Sequence, residues 1–318
     1  MKRTVLHILI GIALCLQACH SNLEPEQEMA IGMAATSVES TTRALINSAA
    51  DLHSFRVDAY KEGTSNEQVF SKQSITRNGD KWEYNPVRYW DRKGYYYFGA
   101  YSPENIAVSS TDTKGVLSIS APNWQAINGE ENDIVVATSK DAATGYIGEG
   151  GTVKFEFKHI LSQLKVQIVR SSMLTNTYKL TGLTYKTVPT DNNNATTTYT
   201  FNYAAPENSA MSTAQMGEKI VFDGAEIVEP EATAATTFTY MVVPFGTQTE
   251  DGVLVEVRYT VNDVPATPIV VKTKLKTLEA GNRYVLTLRF DSGADIKPIL
   301  TVCGWDEDYV DEDDKYNW

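Results

Sequence analysis

The sequence predicts an all-β fold made of two consecutive antiparallel β-sandwich domains. Short segments that alternate apolar and polar residues, or that are rich in β-branched and aromatic residues, recur along most of the chain. Turn-forming pairs such as Asn78-Gly79 and Asp251-Gly252 separate these segments. Because about twelve candidate strands are too many for one small sandwich, we expect two domains.

The chain begins with a predicted export signal at residues 1–18. Lys2 and Arg3 precede an apolar run from Val5 to Leu16 that is too short to span a bilayer as a stable helix. The run ends in the sequence LQAC, which resembles the lipobox of bacterial lipoproteins and predicts a diacylglycerol anchor on Cys19. The alternative is an ordinary secretory signal followed by an incidental cysteine.

The next segment, residues 19–43, contains a candidate first strand. In MAIGMAATSV, the larger side chains of Met29, Ile31 and Met33 alternate with alanine and glycine. This pattern is typical of a strand that places its bulk on one face, where it could complete a sandwich.

An isolated arginine, Arg43, follows this strand within the sequence STTRAL. Its small and polar neighbours suit an exposed protease site. The alternative is that Arg43 is an ordinary surface residue and that the strand before it is a permanent first strand or a tether.

The N-terminal β-sandwich is predicted over residues 44–172. Its candidate strands are Ser54–Tyr60, Tyr95–Ser102, Gly115–Pro122, Asp133–Ser139 and Thr152–Val169. One segment, FKHILSQL, has apolar residues at helical spacing, which indicates one helical turn or an irregular strand junction. The sequence RSSMLTN then interrupts the strand pattern, and we place the domain boundary near it.

The C-terminal β-sandwich is predicted over residues 173–318 and ends in an acidic tail. Its candidate strands are Tyr178–Val188, Thr196–Tyr203, Lys219–Gly224, Thr236–Phe245, Val253–Val261, Thr267–Leu275 and Arg283–Asp291. The tail sequence DEDYVDEDD lacks the central glycine and the regular oxygen spacing of a calcium-binding loop. We therefore expect a solvated acidic tail.

Composition excludes one class of partner and restricts the possible cross-links. The net charge is -12 and no cluster of Lys and Arg is present, which argues against nucleic-acid binding. If Cys19 carries lipid, Cys303 is left without a disulfide partner in the mature chain, and we expect it to be a small buried hydrophobe.

No catalytic motif stands out. The sequence has no HExxH, CxxC, GxSxG or P-loop pattern, and no second ligand or nucleophile is spaced to join His159. We expect His159 to pack or to form hydrogen bonds. We therefore predict a protein that is not an enzyme and has no cofactor and no metal site.

Aromatic residues crowd one region and leave a second function open. Trp82 and Trp90 lie among several tyrosines, and Trp124 follows. Exposed aromatic faces would make the protein a surface lipoprotein that binds carbohydrate. Alternation in YYYFGAY instead places half of its rings inside, so core packing is the competing interpretation.

Four segments in order carry a family resemblance: KWEYNPVRYWDRKGYYYFGAYSP, VKFEFKHILSQLKVQI, LEAGNRYVLTLRF and a late GW pair. Together with the lipobox, they resemble the fimbrillin family, the Mfa-like, type V pilin lipoproteins of Bacteroides-type bacteria. The resemblance implies two transthyretin-like sandwich domains, export to the outer membrane and cell surface, and a structural role in a fimbrium (pilus) that supports adhesion.

The resemblance also implies how the N-terminus acts. An Arg-specific protease would cut between Arg43 and Ala44 and free the first strand, leaving a groove that had held Met29, Ile31 and Met33. A strand from another pilin subunit would then fill the groove by β-augmentation. The expected partners are other pilin subunits, the protease, the outer membrane through the lipid anchor, and host or microbial surface ligands.

Overall fold

The computed structural model describes residues 28–38, 48–63, 66–121, 133–171, 174–186, 197–212, 218–227, 236–246, 252, 254–292 and 295–304. Within these residues almost all of the regular secondary structure is β-strand, and the predicted all-β sandwich fold is confirmed. None of the helices among the described residues has the length and apolar character needed to cross a membrane.

The first half of the chain contributes nine strands and one short helix within the described residues. They are β1 (Gly32–Val38), β2 (Ser54–Lys61), β3 (Glu67–Asn78), β4 (Lys81–Glu83), β5 (Tyr95–Ser102), β6 (Val108–Ser110), β7 (Val116–Ala121), β8 (Val135–Ala142), α1 (Ala143–Gly148) and β9 (Thr152–His159).

The remaining strands of the described residues follow after a short junction. They are β10 (Ser162–Arg170), β11 (Tyr178–Lys186), β12 (Thr197–Asn202), β13 (Ala210–Met211), β14 (Glu218–Ile227), β15 (Thr236–Val242), β16 (Phe245–Gly246), β17 (Leu254–Val261), β18 (Val264–Pro265), β19 (Ile269–Lys272), β20 (Thr277–Leu278), β21 (Asn282–Ser292) and β22 (Asp295–Gly304). A 3₁₀ turn, Pro206–Asn208, separates β12 from β13.

A seven-stranded sheet with the order β1-β9-β8-β5-β2-β3-β4 dominates the first half. The sheet curls until its two outermost strands, β1 and β4, approach each other. Strict alternation in β9 explains the direction of its side chains, since Val153, Phe155 and Phe157 are buried while the residues between them are exposed. The concave face of this sheet encloses one aromatic-rich core.

The other face of this sheet packs against a four-stranded sheet with the order β13-β12-β7-β6. The approach is close at Gly99 on β5, where a Cβ atom would lie 2.6 Å from the Tyr203 ring. The Tyr203 hydroxyl reaches across and donates a buried hydrogen bond of 2.5 Å to Asp58 Oδ1 on β2. Glycine at position 99 therefore allows the ring of Tyr203 to join the two sheets.

The second half forms a sandwich of two further sheets. One has the order β15-β10-β21-β22, and the other has the order β14-β11-β17-β18 with β19 also pairing to β17. Their facing sides bury a core of mostly aliphatic residues with a few aromatic rings, to which β10, β11, β17 and β21 contribute.

Two local features differ from a uniform strand pattern. The segment FKHILSQL is an irregular strand junction, because β9 ends at His159, β10 begins at Ser162, and the two residues between them are buried. The helix α1 has no counterpart among the sequence predictions. Its two glycines are poor helix formers, so its stability comes from packing of the buried Tyr146.

The two halves are linked by strand pairing as well as by the junction between β9 and β10. β12 lies beyond the predicted boundary between residues 44–172 and 173–318, yet it pairs with β7 over Thr197–Asn202. The boundary itself stays a prediction.

Candidate functional site

The candidate site is the place where the first strand packs at the edge of the seven-stranded sheet. β1 lies at the edge of the seven-stranded sheet and pairs parallel to β9, from Gly32 opposite Thr152 to Val38 opposite Phe157. β1 is thus an edge strand held by one neighbouring strand and by the core beneath it.

A β-bulge adjusts which side chains of β1 face the core. The register moves from Ala35 opposite Phe155 to Ser37 opposite Glu156, so Thr36 is the extra residue. The Thr36 hydroxyl donates a hydrogen bond of 3.1 Å to the Phe155 carbonyl. Because one extra residue reverses the alternation, Val38 faces inward.

Three side chains of this segment are deeply buried in the concave core: Ile31 is 1%, Met33 is 5% and Val38 is 5% exposed. Met29 and Ala35 pack against the same core and are half-buried. At about 1.5–3 kcal/mol for each fully buried aliphatic side chain, the three buried residues contribute roughly 4.5–9 kcal/mol to seating the strand.

The start of this segment also contacts residues 84–91, which we call the strap. The Ile31 N–H donates to the Arg88 carbonyl at 2.8 Å, and the Trp90 N–H donates to the Met29 carbonyl at 2.9 Å. Ala30 and Tyr89 form an antiparallel bridge between these two bonds. The start of the segment therefore lies between β9 and the strap.

The Tyr84 side chain adds a third contact from the strap. Its hydroxyl donates to the Ile31 carbonyl at 2.7 Å and accepts from the Arg88 N–H at 3.3 Å. Desolvation by burial raises the pKa of Tyr84, and its hydrogen bond to the Arg88 backbone partly opposes this. Burial thus favours the protonated hydroxyl, which is the form that donates.

Gly151 directly precedes β9 and bonds both to the first strand and to the strap. Its carbonyl accepts from the Gly32 N–H at 2.7 Å and from the Trp90 indole N–H at 3.1 Å. Gly151 has a φ of +73°, and a Cβ atom there would lie 2.7 Å from Met29 Sδ. Only glycine combines this left-handed backbone with room for the methionine.

Comparison with known proteins identifies the family of this chain. The model of the fimbrillin-like family matches residues 42–305. The chain belongs to the fimbrillin-like family. The family resemblance found in the sequence is thereby confirmed. A comparison with curated protein sequences finds no match.

Solved structures share the fold of this fimbrillin-like protein. A fimbrial protein from Bacteroides vulgatus aligns with a TM-score of 0.55 and 14% identity, covering 87% of this chain and 99% of the other. A proposed cell adhesion protein from Bacteroides ovatus aligns with a TM-score of 0.53 and 15% identity, covering 89% and 99%. At such identities the likeness establishes the fold alone.

The structure describes some of the predicted site residues of the fimbrillin-like chain and not others. Cys19, Arg43, Ala44 and Trp124 lie outside the described residues. The predicted first-strand residues Met29, Ile31 and Met33 lie together against the concave core, although regular pairing to β9 begins only at Gly32. Met29 and Ile31 instead form backbone hydrogen bonds with the strap.

Two of the three tryptophans proposed as glycan contacts face inward. Trp90 is 6% exposed, and its ring stacks on Tyr146 at 4.9 Å between centroids. Trp82 is half-buried, with its ring 4.9 Å from Phe55 and 5.9 Å from the Arg77 guanidinium carbon. These positions favour core packing over sugar stacking for both side chains.

His159 lies at the end of β9 and is also internal. Its Nδ1 is 2.8 Å from Asp133 Oδ2, and both side chains are buried. Among the described residues, no three His, Cys, Asp or Glu side chains come together as a metal site.

Sequence reasoning missed the strap and Gly151 as parts of the site. The strap lies inside the family-like segment KWEYNPVRYWDRKG, so the resemblance marked the region but gave it no role. Nothing in the local pattern shows that Tyr84 or Arg88 bonds to a strand more than fifty positions earlier.

Proposed function

We propose that this fimbrillin-like protein is a structural subunit of a cell-surface fimbrium. It polymerises by strand exchange at the seat, which is the position between β9 and the strap that residues 29–38 occupy. The single observation that carries the proposal is that the leading segment 29–38, which includes β1, fills part of the core and is bonded to β9 and the strap. Such a strand can be replaced by one from another copy without changing the rest of the fold.

Processing at Arg43 starts the exchange in this proposal. An Arg-specific protease cuts between Arg43 and Ala44, after which β1 is held only by noncovalent contacts. Its departure opens the edge of β9 and the positions that held Ile31, Met33 and Val38. The family model begins at residue 42, next to Arg43, so β1 lies outside the residues that this model matches.

The lipid anchor belongs to the same removable piece. Cys19 and β1 both precede Arg43 in the sequence. In this proposal, Cys19 holds the precursor at the outer membrane, and one cleavage releases the subunit body from its lipid and opens the seat. The polymer then supports adhesion to host or microbial surfaces. The proposed role is structural and requires no catalytic residue.

Protease treatment of the purified precursor tests the proposal. We expect an Arg-specific protease to yield a chain that begins at Ala44, identified by N-terminal sequencing, together with oligomers on size-exclusion chromatography. The Arg43→Lys variant keeps the charge but removes the cleavage site, and it should stay monomeric. An intact N-terminus after treatment, or a product that begins at Ala44 and remains monomeric, would refute the proposal.

A further inference from the structure

The two ends of the first strand are held very differently. The start, Met29 to Gly32, is bonded to the strap on one side and to Gly151 on the other. The end, Thr36 to Val38, pairs with β9, and the bonds from the strap reach only as far as Ile31. Thr36 and Ser37 are also exposed, and the bulge interrupts the regular register there.

We propose that the strap makes strand exchange directional, an inference that rests on the proposed function and deepens it. Release begins at Val38 and proceeds towards Met29, because the open end must separate from β9 before the enclosed end can leave the strap. An incoming strand occupies the vacated end beside Phe157 first and passes beneath the strap last.

The contacts at positions 31–33 also restrict which incoming strand can bind in place of β1. A Cβ atom at position 32 would lie 2.8 Å from Thr152 Oγ1 and 3.3 Å from Thr152 Cα, and both separations are shorter than ordinary contacts. The flanking positions, 31 and 33, bury large apolar side chains. The partner that fits is therefore an extended segment with a very small residue between two large apolar ones.

Hydrogen exchange of the intact precursor, followed by mass spectrometry, tests the direction of release. It does not require cleavage by the Arg-specific protease. Each neutral hydrogen bond that must break makes a local opening roughly two- to tenfold rarer, so the additional strap bonds predict a combined factor of ten or more. We expect the amides of residues 36–38 that donate to β9 to exchange at least about tenfold faster than those of Ile31 and Gly32, which are also bonded. Equal rates, or faster exchange at Ile31 and Gly32, would overturn the inference.

The Tyr84→Phe variant tests the role of the strap itself. It removes the bond to the Ile31 carbonyl and should accelerate exchange of Ile31 and Gly32 about fivefold, while residues 36–38 change less than about twofold. Tyr89→Phe is the matched control, since this ring lies in the same strap, is 50% exposed and should leave both ends unchanged. Equal acceleration of both ends by Tyr84→Phe, or no acceleration, would contradict the proposal.

These results are independent of polymerisation. If exchange is directional but cleavage yields no oligomers, the strap acts as inferred and the proposed function fails. If oligomers form but the two ends open together, the proposed function stands and directionality fails.

Discussion

Truncating Ile31 gives a quantitative test of how much the first strand contributes to the fold. Ile31→Ala removes three carbon groups from a side chain that is 1% exposed. At about 0.8 kcal/mol per buried CH₂, the transfer loss alone is about 2.4 kcal/mol. The remaining cavity brings the expected loss to roughly 2–5 kcal/mol, the usual range for such truncations.

The measurement is the free energy of unfolding of the precursor in urea, followed by tryptophan fluorescence. Ser37→Ala is the matched control, because Ser37 lies in the same segment with its side chain exposed. This variant should change the free energy of unfolding by no more than about 0.5 kcal/mol. If Ile31→Ala also stays within that range, the segment 29–38 is not part of the cooperative core and the reasoning about its burial is wrong.

Three further predictions concern the contacts around the seat and between the sheets. Gly151→Ala should lower the free energy of unfolding by about 1–3 kcal/mol, measured in urea, because alanine is strained at a φ of +73° and its Cβ meets Met29. Tyr203→Phe should cost about 1–3 kcal/mol in the same assay, because it removes a hydrogen bond from the buried Asp58 carboxyl. Burial raises the pKa of Tyr146 from 10.0 to about 12. The protonated hydroxyl therefore contributes fully to the free energy of unfolding below pH 10, and this contribution is lost as the pH rises through 12. Circular dichroism across this range should show alkaline unfolding that the Tyr146→Phe variant shifts to higher pH.

The sequence predicts features that depend on local alternation. Met29, Ile31 and Met33 share one face because side chains alternate along an extended chain, and all three pack against the concave core. The same rule places Phe155 and Phe157 inside. These residues needed only their neighbours in the sequence to reveal which face they occupy.

Features set by distant contacts were beyond such reasoning. The bulge at Thr36 depends on the register against β9, which lies more than one hundred positions later. Gly151 appears in the sequence only as one of two adjacent glycines, and its role depends on where Met29 arrives. Helix α1 has weak local propensity and owes its place to the stacking of Tyr146 on Trp90.

The pairing of β12 with β7 has a mechanical consequence for a subunit in a filament. A pull that separates the two halves of the molecule acts on the ladder from Thr197 to Asn202 as well as on the junction after His159. Several backbone hydrogen bonds must break together before the halves can part. Under tension along such a filament, the two halves would therefore move as one stiff body. Two halves joined by a single connecting peptide would instead bend at that peptide.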